Sequence, residues 1–280
     1  MSDEDISKSA TTAASSDKEP IDLFGPGDHL YSNHEYEKAK EHFQMILNLS
    51  SISAIDSARC YSSLGAINIK LQNYEEALKN YDEQLKILIQ WKTQNKTEGD
   101  IAKCFMSIGM IYWLQYDYAQ ALNYQKQALD ILSTTTPIHD LTSKVYKNIA
   151  NLYAKTKEFD SALMYFEKAL EMDHQNPKED HLEFGQTYAD IGAMFYLKQD
   201  YKQALDYFVK ARETWLKSLE ASHTYIKSLE KTINTVQSKL GMYMSRSMAF
   251  GNRNATVTVV TGVIGLRFTV HRSHRSAGSP

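Results

Sequence analysis

Between Lys144 and Met172 the chain reads KVYKNIANLYAKTKEFDSALMYFEKALEM, and its first half places Lys144, Lys147, Asn148, Asn151 and Lys155 three, one, three and four residues apart. Residues three and four apart lie above one another on a helix, so all five share one face. Three ammonium groups attract carboxylates, and two carboxamides can pair with a peptide backbone. The chemistry offered is recognition of an acidic, extended segment, and the stripe predicts a binding surface and not a catalyst. A solvated charged face would read the same way in sequence.

Other reactive patterns carry less. The only glycine cluster, Gly25-Pro26-Gly27, has neither a following lysine nor a preceding strand, so it is no phosphate loop. The nine histidines show no metal spacing; His34 and His42 are eight apart, and His139, His174, His181 and His223 sit between helical segments. No cofactor is expected. Cys60 and Cys104 occupy the same place in successive segments, five residues before Gly65 and Gly109. Neighbouring helices would hold their Cα atoms about 10 Å apart, beyond disulfide reach, so they read as reduced packing residues.

The elements that position these residues are helical hairpins. Lys144 to Lys155 and Phe159 to Met172 are two amphipathic patterns split by Thr156-Lys157-Glu158. Small Ala150 and Ala162 set against bulky Phe159, Tyr165 and Phe166 let two helices approach closely. The small pair recurs as Gly65 with Ala77, Gly109 with Ala121 and Gly192 with Ala204, always 12 apart, and the second member steps by 44, 41 and 42 residues. Three residues before it stands Tyr74, Tyr118, Phe159 or Tyr201.

These anchors, with closing Ala128-Leu129 and Ala169-Leu170, resemble the tetratricopeptide repeat. The long period, with Pro137 to Asp140 and Asn176-Pro177 before later copies, is most similar to kinesin light chain-type repeats. The resemblance covers Glu35 to about Leu240. It implies an all-α fold, a right-handed α-solenoid of stacked antiparallel hairpins, and a non-catalytic scaffold binding a protein or peptide.

In that family the first helix of each hairpin lines a concave groove. Counting the small anchor as position 8, positions 2, 5, 6, 9 and 13 face it. The third repeat supplies the stripe from Lys144 to Lys155; the others supply Arg59, Ser62, Ser63 and Lys70, then Lys103 and Ser107, then Gln186 and Asp190. Met110, Trp113 and Tyr196 would flank it with apolar and stacking surface. Reversing the charge of Lys147 is expected to weaken binding by discouraging encounter. The position-6 asparagine of kinesin light chain-like repeats survives only as Asn148. Lys147 and Asn151 match half of the carboxylate clamp of chaperone-binding arrays, but Asp190 replaces the clamp's next asparagine. Such arrays are sometimes fused to ADP-ribosyltransferase domains with a Glu-x-Glu signature. Glu35-Tyr36-Glu37 matches it, yet lies in a helical pattern with Tyr36 on a repeat aromatic.

The remaining composition sets the frame. With 42% hydrophobic and 23% charged residues, 5 Pro and 12 Gly in 280, the chain is ordinary helical material. Residues 241–280 hold five Arg and no Asp, Glu or Lys, so of the net −3 the rest carries −8, which argues against nucleic-acid binding. Residues 1–20 form an acidic lead-in expected to be disordered. Residues 21–50 read as a degraded repeat in which Gly25-Pro26-Gly27 breaks the first helix and only Glu35 to Leu47 survives. Residues 51–240 form the array, closed by a polar-faced cap from Tyr225 to Leu240. Residues 241–280 have no anchors and no helical period; they read as a disordered tail foreign to the fold or, as the lesser alternative, as an anchor to an anionic membrane surface, and membrane contact is not expected. The N-terminus has no signal-like apolar run, and a cytoplasmic location is expected. A regulatory fragment of a larger enzyme and a membrane-associated adaptor are the other function classes left open.

Overall fold

The computed structural model describes residues 22–91, 97–133, 139–175 and 181–250, and among them every regular element is an α-helix. In chain order these are α1 (Gly25–Ser32), α2 (Tyr36–Leu47), α3 (Ala54–Lys70), α4 (Tyr74–Trp91), α5 (Glu98–Leu114) and α6 (Tyr118–Ser133). They continue as α7 (His139–Lys155), α8 (Phe159–Gln175), α9 (His181–Leu197), α10 (Tyr201–Trp215) and α11 (Thr224–Phe250). Consecutive helices pair as hairpins from α1–α2 to α9–α10, each second helix also packs on the next first helix, and α11 lies on α10. The fold is an α-solenoid of helical hairpins.

The small anchors explain the close pairing. A Cβ on Gly65 would come within 2.7 Å of the Tyr81 ring, and one on Gly192 within 2.9 Å of Phe208. Ala77, Ala121, Ala150, Ala162 and Ala204 are all buried. Every hairpin turn contains one non-glycine residue in the left-handed region, namely His34, Gln72, Tyr116, Lys157 and Gln199, with φ between 61° and 65°. This conformation lets the chain end one helix and reverse within three residues.

Two sequence expectations are corrected. Gly25-Pro26-Gly27 opens α1 instead of breaking it, because a proline in the first turn needs no N–H partner and its fixed φ suits the helix. Asp22 Oδ1 accepts from the N–H groups of Phe24 at 3.1 Å and Gly25 at 3.0 Å, completing the start. A Cβ on Gly27 would lie 2.7 Å from Phe43, so α1–α2 has the anchor contact and the turn of the other hairpins, with a shorter first helix. At the other end α11 continues through Gly241 to Phe250, where the residue pattern shows no helical period. α11 buries Ile226, Leu229, Ile233 and Val236 while Lys227, Glu230, Lys231 and Asn234 face water. The expectations for residues 1–20 and for 251–280 lie outside the described residues.

Inside the hairpins, aromatic pairs bridge first and second helices three residues after each anchor. Tyr112 stacks on Tyr124 at 5.4 Å between centroids, Tyr153 on Tyr165 at 5.5 Å and Phe195 on Tyr207 at 5.5 Å. The α3–α4 hairpin has Asn68 and Asn80 in the same register.

Candidate peptide-binding groove

The first helices α3 and α5, and α5 and α7, approach one another directly, more closely than the second helices do. First helices set side by side line one face of the stack, where a groove would lie. A depression of about 470 Å³ lies elsewhere, on the turn edge, lined by Gln72, Tyr74, Lys79 and Gln115. It is open to solvent and gathers no residue of the stripe.

Five of the sequence-selected residues lie on α5 and α7, whose helices approach each other. Met110 is 50% exposed on α5. Trp113 is half-buried, with its ring edge-on to Tyr118 at 5.6 Å and the Lys155 ammonium 5.7 Å from its centroid. Lys144 and Asn151 are exposed on the same helix as Lys155, α7. Lys155 and Trp113 are thus brought together, while Lys144 stands eleven residues before Lys155 on α7, about 16 Å along the helix. Lys103 is exposed on α5 with Asp100 at 3.0 Å, its charge already offset.

The other four lie apart or are spent inside the fold. Arg59 bonds Asp28 at 3.0 Å and lies 3.9 Å from the centroid of the Phe24 ring, fastening the N-terminal hairpin to α3. Tyr196 meets Tyr201 edge-on at 5.7 Å, and Lys239 of α11 lies 5.7 Å from its ring centroid. Lys147 keeps only 14% of its side chain exposed. Its Nζ lies 2.8 Å from Glu183 and 3.2 Å from Asp173, a pairing across α7, α8 and α9 in which only the Glu183 contact has hydrogen-bond geometry. Lys147 is thus a brace between repeats, and reversing its charge would set a third carboxylate beside two others. The mutation chosen from sequence would damage the scaffold before it reported on encounter.

Asn148 is also committed. It donates to Gln125 Oε1 at 3.3 Å, and Gln125 Nε2 donates to the Met106 carbonyl at 3.2 Å. Gln125 was missed in sequence. Its register position, four after the second anchor, holds Phe43, Tyr81, Phe166 and Phe208 in the other hairpins, and that substitution of an amide for a ring was the available signal. Asp173 and Glu183 carried no comparable signal, because both lie beyond the repeat anchors.

Among the described residues, the two cysteines and the Glu35-Tyr36-Glu37 triplet lie apart from the stripe. Burial pushes the Cys60 and Cys104 thiols up to about 12, so both stay protonated near neutral pH. Both are free and buried, and Cys104 Sγ donates to the Tyr81 carbonyl at 3.2 Å. Glu35 is paired with Lys38 at 2.5 Å, and Tyr36 packs edge-on against Tyr31, which places Glu35-Tyr36-Glu37 at a hairpin turn. Among the described residues no group of three or more His, Cys, Asp or Glu is placed to hold a metal ion. No described helix is long and apolar enough to cross a membrane.

Known proteins share this architecture. The apo form of RapI superposes with a TM-score of 0.61 at 18% identity, covering 81% of this chain and 86% of that one. BtubC from P. vanneervenii gives 0.59 at 19% identity over 69% and 79%. Pseudomonas aeruginosa pilF gives 0.53 at 17% over 81% and 90%. In sequence, the 43 kDa receptor-associated protein of the synapse from Gallus gallus is 25% identical over 191 residues, 67% of this chain and 43% of its own length. Protein HGV2 from Halocynthia roretzi is 25% identical over 132 residues, 47% of this chain and 22% of its own. The chain therefore spans less than half the length of these curated relatives. The family model described as tetratricopeptide repeat matches residues 56–134, 100–175 and 141–217, together more than half of the chain. Anchors, turns, stacked hairpins and that match agree: the chain belongs to the tetratricopeptide repeat family.

Proposed function

We propose that the protein is a non-catalytic interaction scaffold that binds an acidic, extended peptide segment in the groove lined by its first helices. The observation that carries this reading is the α5–α7 patch. Lys144, Asn151 and Lys155 are exposed on one face of α7, and Lys155 lies against half-buried Trp113 of α5, the helix that also carries exposed Met110. Cations and an amide beside an indole suit a ligand that has carboxylates and one large apolar side chain. The period of 41 to 44 residues supports the kinesin light chain-type subtype, and the free thiols are in keeping with a cytoplasmic location.

A second reading is supported by the relatives' length: the array would be one part of a larger protein and would supply its docking function. A membrane-associated adaptor would use the basic residues of 241–280 in addition to the groove.

The test is calorimetry of the full chain with acidic, neutral and basic peptides, each containing one tryptophan. The acidic peptide is expected to bind best, and to weaken as salt is raised, because exposed charges are screened beyond about 8 Å at physiological ionic strength. Lys144→Glu with Lys155→Glu is expected to lower its affinity by about tenfold, while Lys79→Glu on α4 leaves it unchanged. Equal binding of all three peptides, or binding of none, would return the stripe to a solvated face.

A further inference from the structure

The groove changes character from α7 to α9, and a second specificity element there rests on the acidic-peptide reading of the groove. In the third repeat the side chain two residues before the small anchor is tied to the preceding hairpin, where Asn148 donates to Gln125. The equivalent residue of the fourth repeat is Asp190, and the register position of Tyr81 and Gln125 is filled by Phe166, a hydrocarbon ring with nothing to donate. Asp190 instead accepts from Gln186 Nε2, one turn earlier on α9, at 3.0 Å.

The charged groups that act on Asp190 are Lys147 from α7 and Glu183 from α9, the first attractive and the second repulsive. Lys147 is already engaged by Glu183 at 2.8 Å and by Asp173 at 3.2 Å. Lys147 is therefore committed to those two carboxylates, and the hydrogen bond that Asp190 accepts comes from Gln186 on its own helix. Burial raises the Asp190 carboxyl to about 6, above the usual carboxylate range, in spite of Gln186 and Lys147. A carboxylate held partly out of water gains more from an arriving cation than one on an open surface.

We propose that Asp190 is the cation-recognising residue of the groove, and that the ligand is bipolar, with acidic residues over Lys144 and Lys155 and a lysine or arginine over α9. Packed helices generally lie about 8 to 10 Å apart, and an extended chain advances about 3.3 Å per residue. The cation therefore follows the acidic group by about three residues.

The test uses the full chain and fluorescent synthetic peptides. One probe carries a tryptophan and two glutamates, then two glycines and a lysine; a second has alanine for the lysine; a third places the lysine directly beside the glutamates. The first is expected to bind about tenfold more tightly than the second and more tightly than the third. Asp190→Asn, close in shape, is expected to remove the preference for lysine while the alanine probe binds as before. At pH 6, binding of the first probe should release protons from the parent protein and none from the variant, measured by calorimetry in two buffers of different ionisation heat. A purely structural Asp190 would not couple lysine binding to a proton. Equal binding of the lysine and alanine probes, or a preference that survives Asp190→Asn, overturns the bipolar ligand and leaves the acidic-peptide reading standing. Failure of every probe to bind overturns both.

Discussion

The α3–α4 hairpin and the three hairpins C-terminal to it use one backbone plan with two kinds of interior. In α5–α6, α7–α8 and α9–α10 the register three after each anchor holds two stacked rings, tilted by only 9° to 19°. In α3–α4 it holds Asn68 and Asn80, and each amide turns back on its own helix, to the carbonyls of Leu64 at 3.0 Å and Glu76 at 2.6 Å. Asn68 is 1% exposed and its Oδ1 has no partner; Gln84, one turn after Asn80, is also buried with its Oε1 unpaired. The stacks join two helices, whereas the amides satisfy each helix separately. A hairpin can thus keep its geometry from small anchors and turns alone, while the cohesion between its helices depends on what fills the next register. The α3–α4 hairpin should be the weak link of the array, since a repeat stack is about as stable as its local interfaces.

The largest expected effect comes from moving the weak interior into a strong hairpin. Tyr153→Asn combined with Tyr165→Asn removes the α7–α8 stack and buries two amides, and should cost about 3 to 5 kcal/mol. Thermal unfolding would read this as a lowered or split transition, with amide exchange in α7 and α8 rising to match α3 and α4. An unchanged melt would show that the stack contributes little. The converse variant, Asn68→Tyr with Asn80→Tyr, should stabilise by about 1 to 3 kcal/mol by joining α3 to α4 and removing the unpaired oxygen. The readout is slower amide exchange confined to those helices; a gain spread over the whole array, or a loss, would mean that the amides are not what weakens the hairpin.

Asp190→Asn gives the smallest effect, at the same kind of site, where a polar group lacks the partner its neighbours have. Its carboxyl is raised to about 6 by burial, and an unfolded aspartate titrates near 3.9, so the folded protein holds the proton more tightly. Stability from this group is complete below about pH 4 and is lost as pH rises through about 6. Asparagine removes that loss, so the variant should be more stable than the parent at pH 7 by about 1 to 2 kcal/mol, and the difference should vanish near pH 4. Melting curves across this window would show it. Identical pH profiles for parent and variant would place Asp190 in ordinary solvent contact.

The sequence by itself determined the hairpins, their register and the family. The small anchors recur 12 apart, and even a Cβ at Gly65 or Gly192 would crowd the ring of Tyr81 or Phe208. Local sterics of that kind are written in residue types and spacing. It also selected the five residues of the α5–α7 patch, because helical periodicity alone puts Lys144, Asn151 and Lys155 on one face. Only the tertiary structure decided which members of the stripe remain available. Lys147 is drawn to Asp173 and Glu183, Asn148 to Gln125, and Arg59 to Asp28, partners 26, 36, 23 and 31 residues away in sequence. The energy of an ion pair or an amide bond depends on distance and burial, and between separate helices both are set by how the hairpins stack.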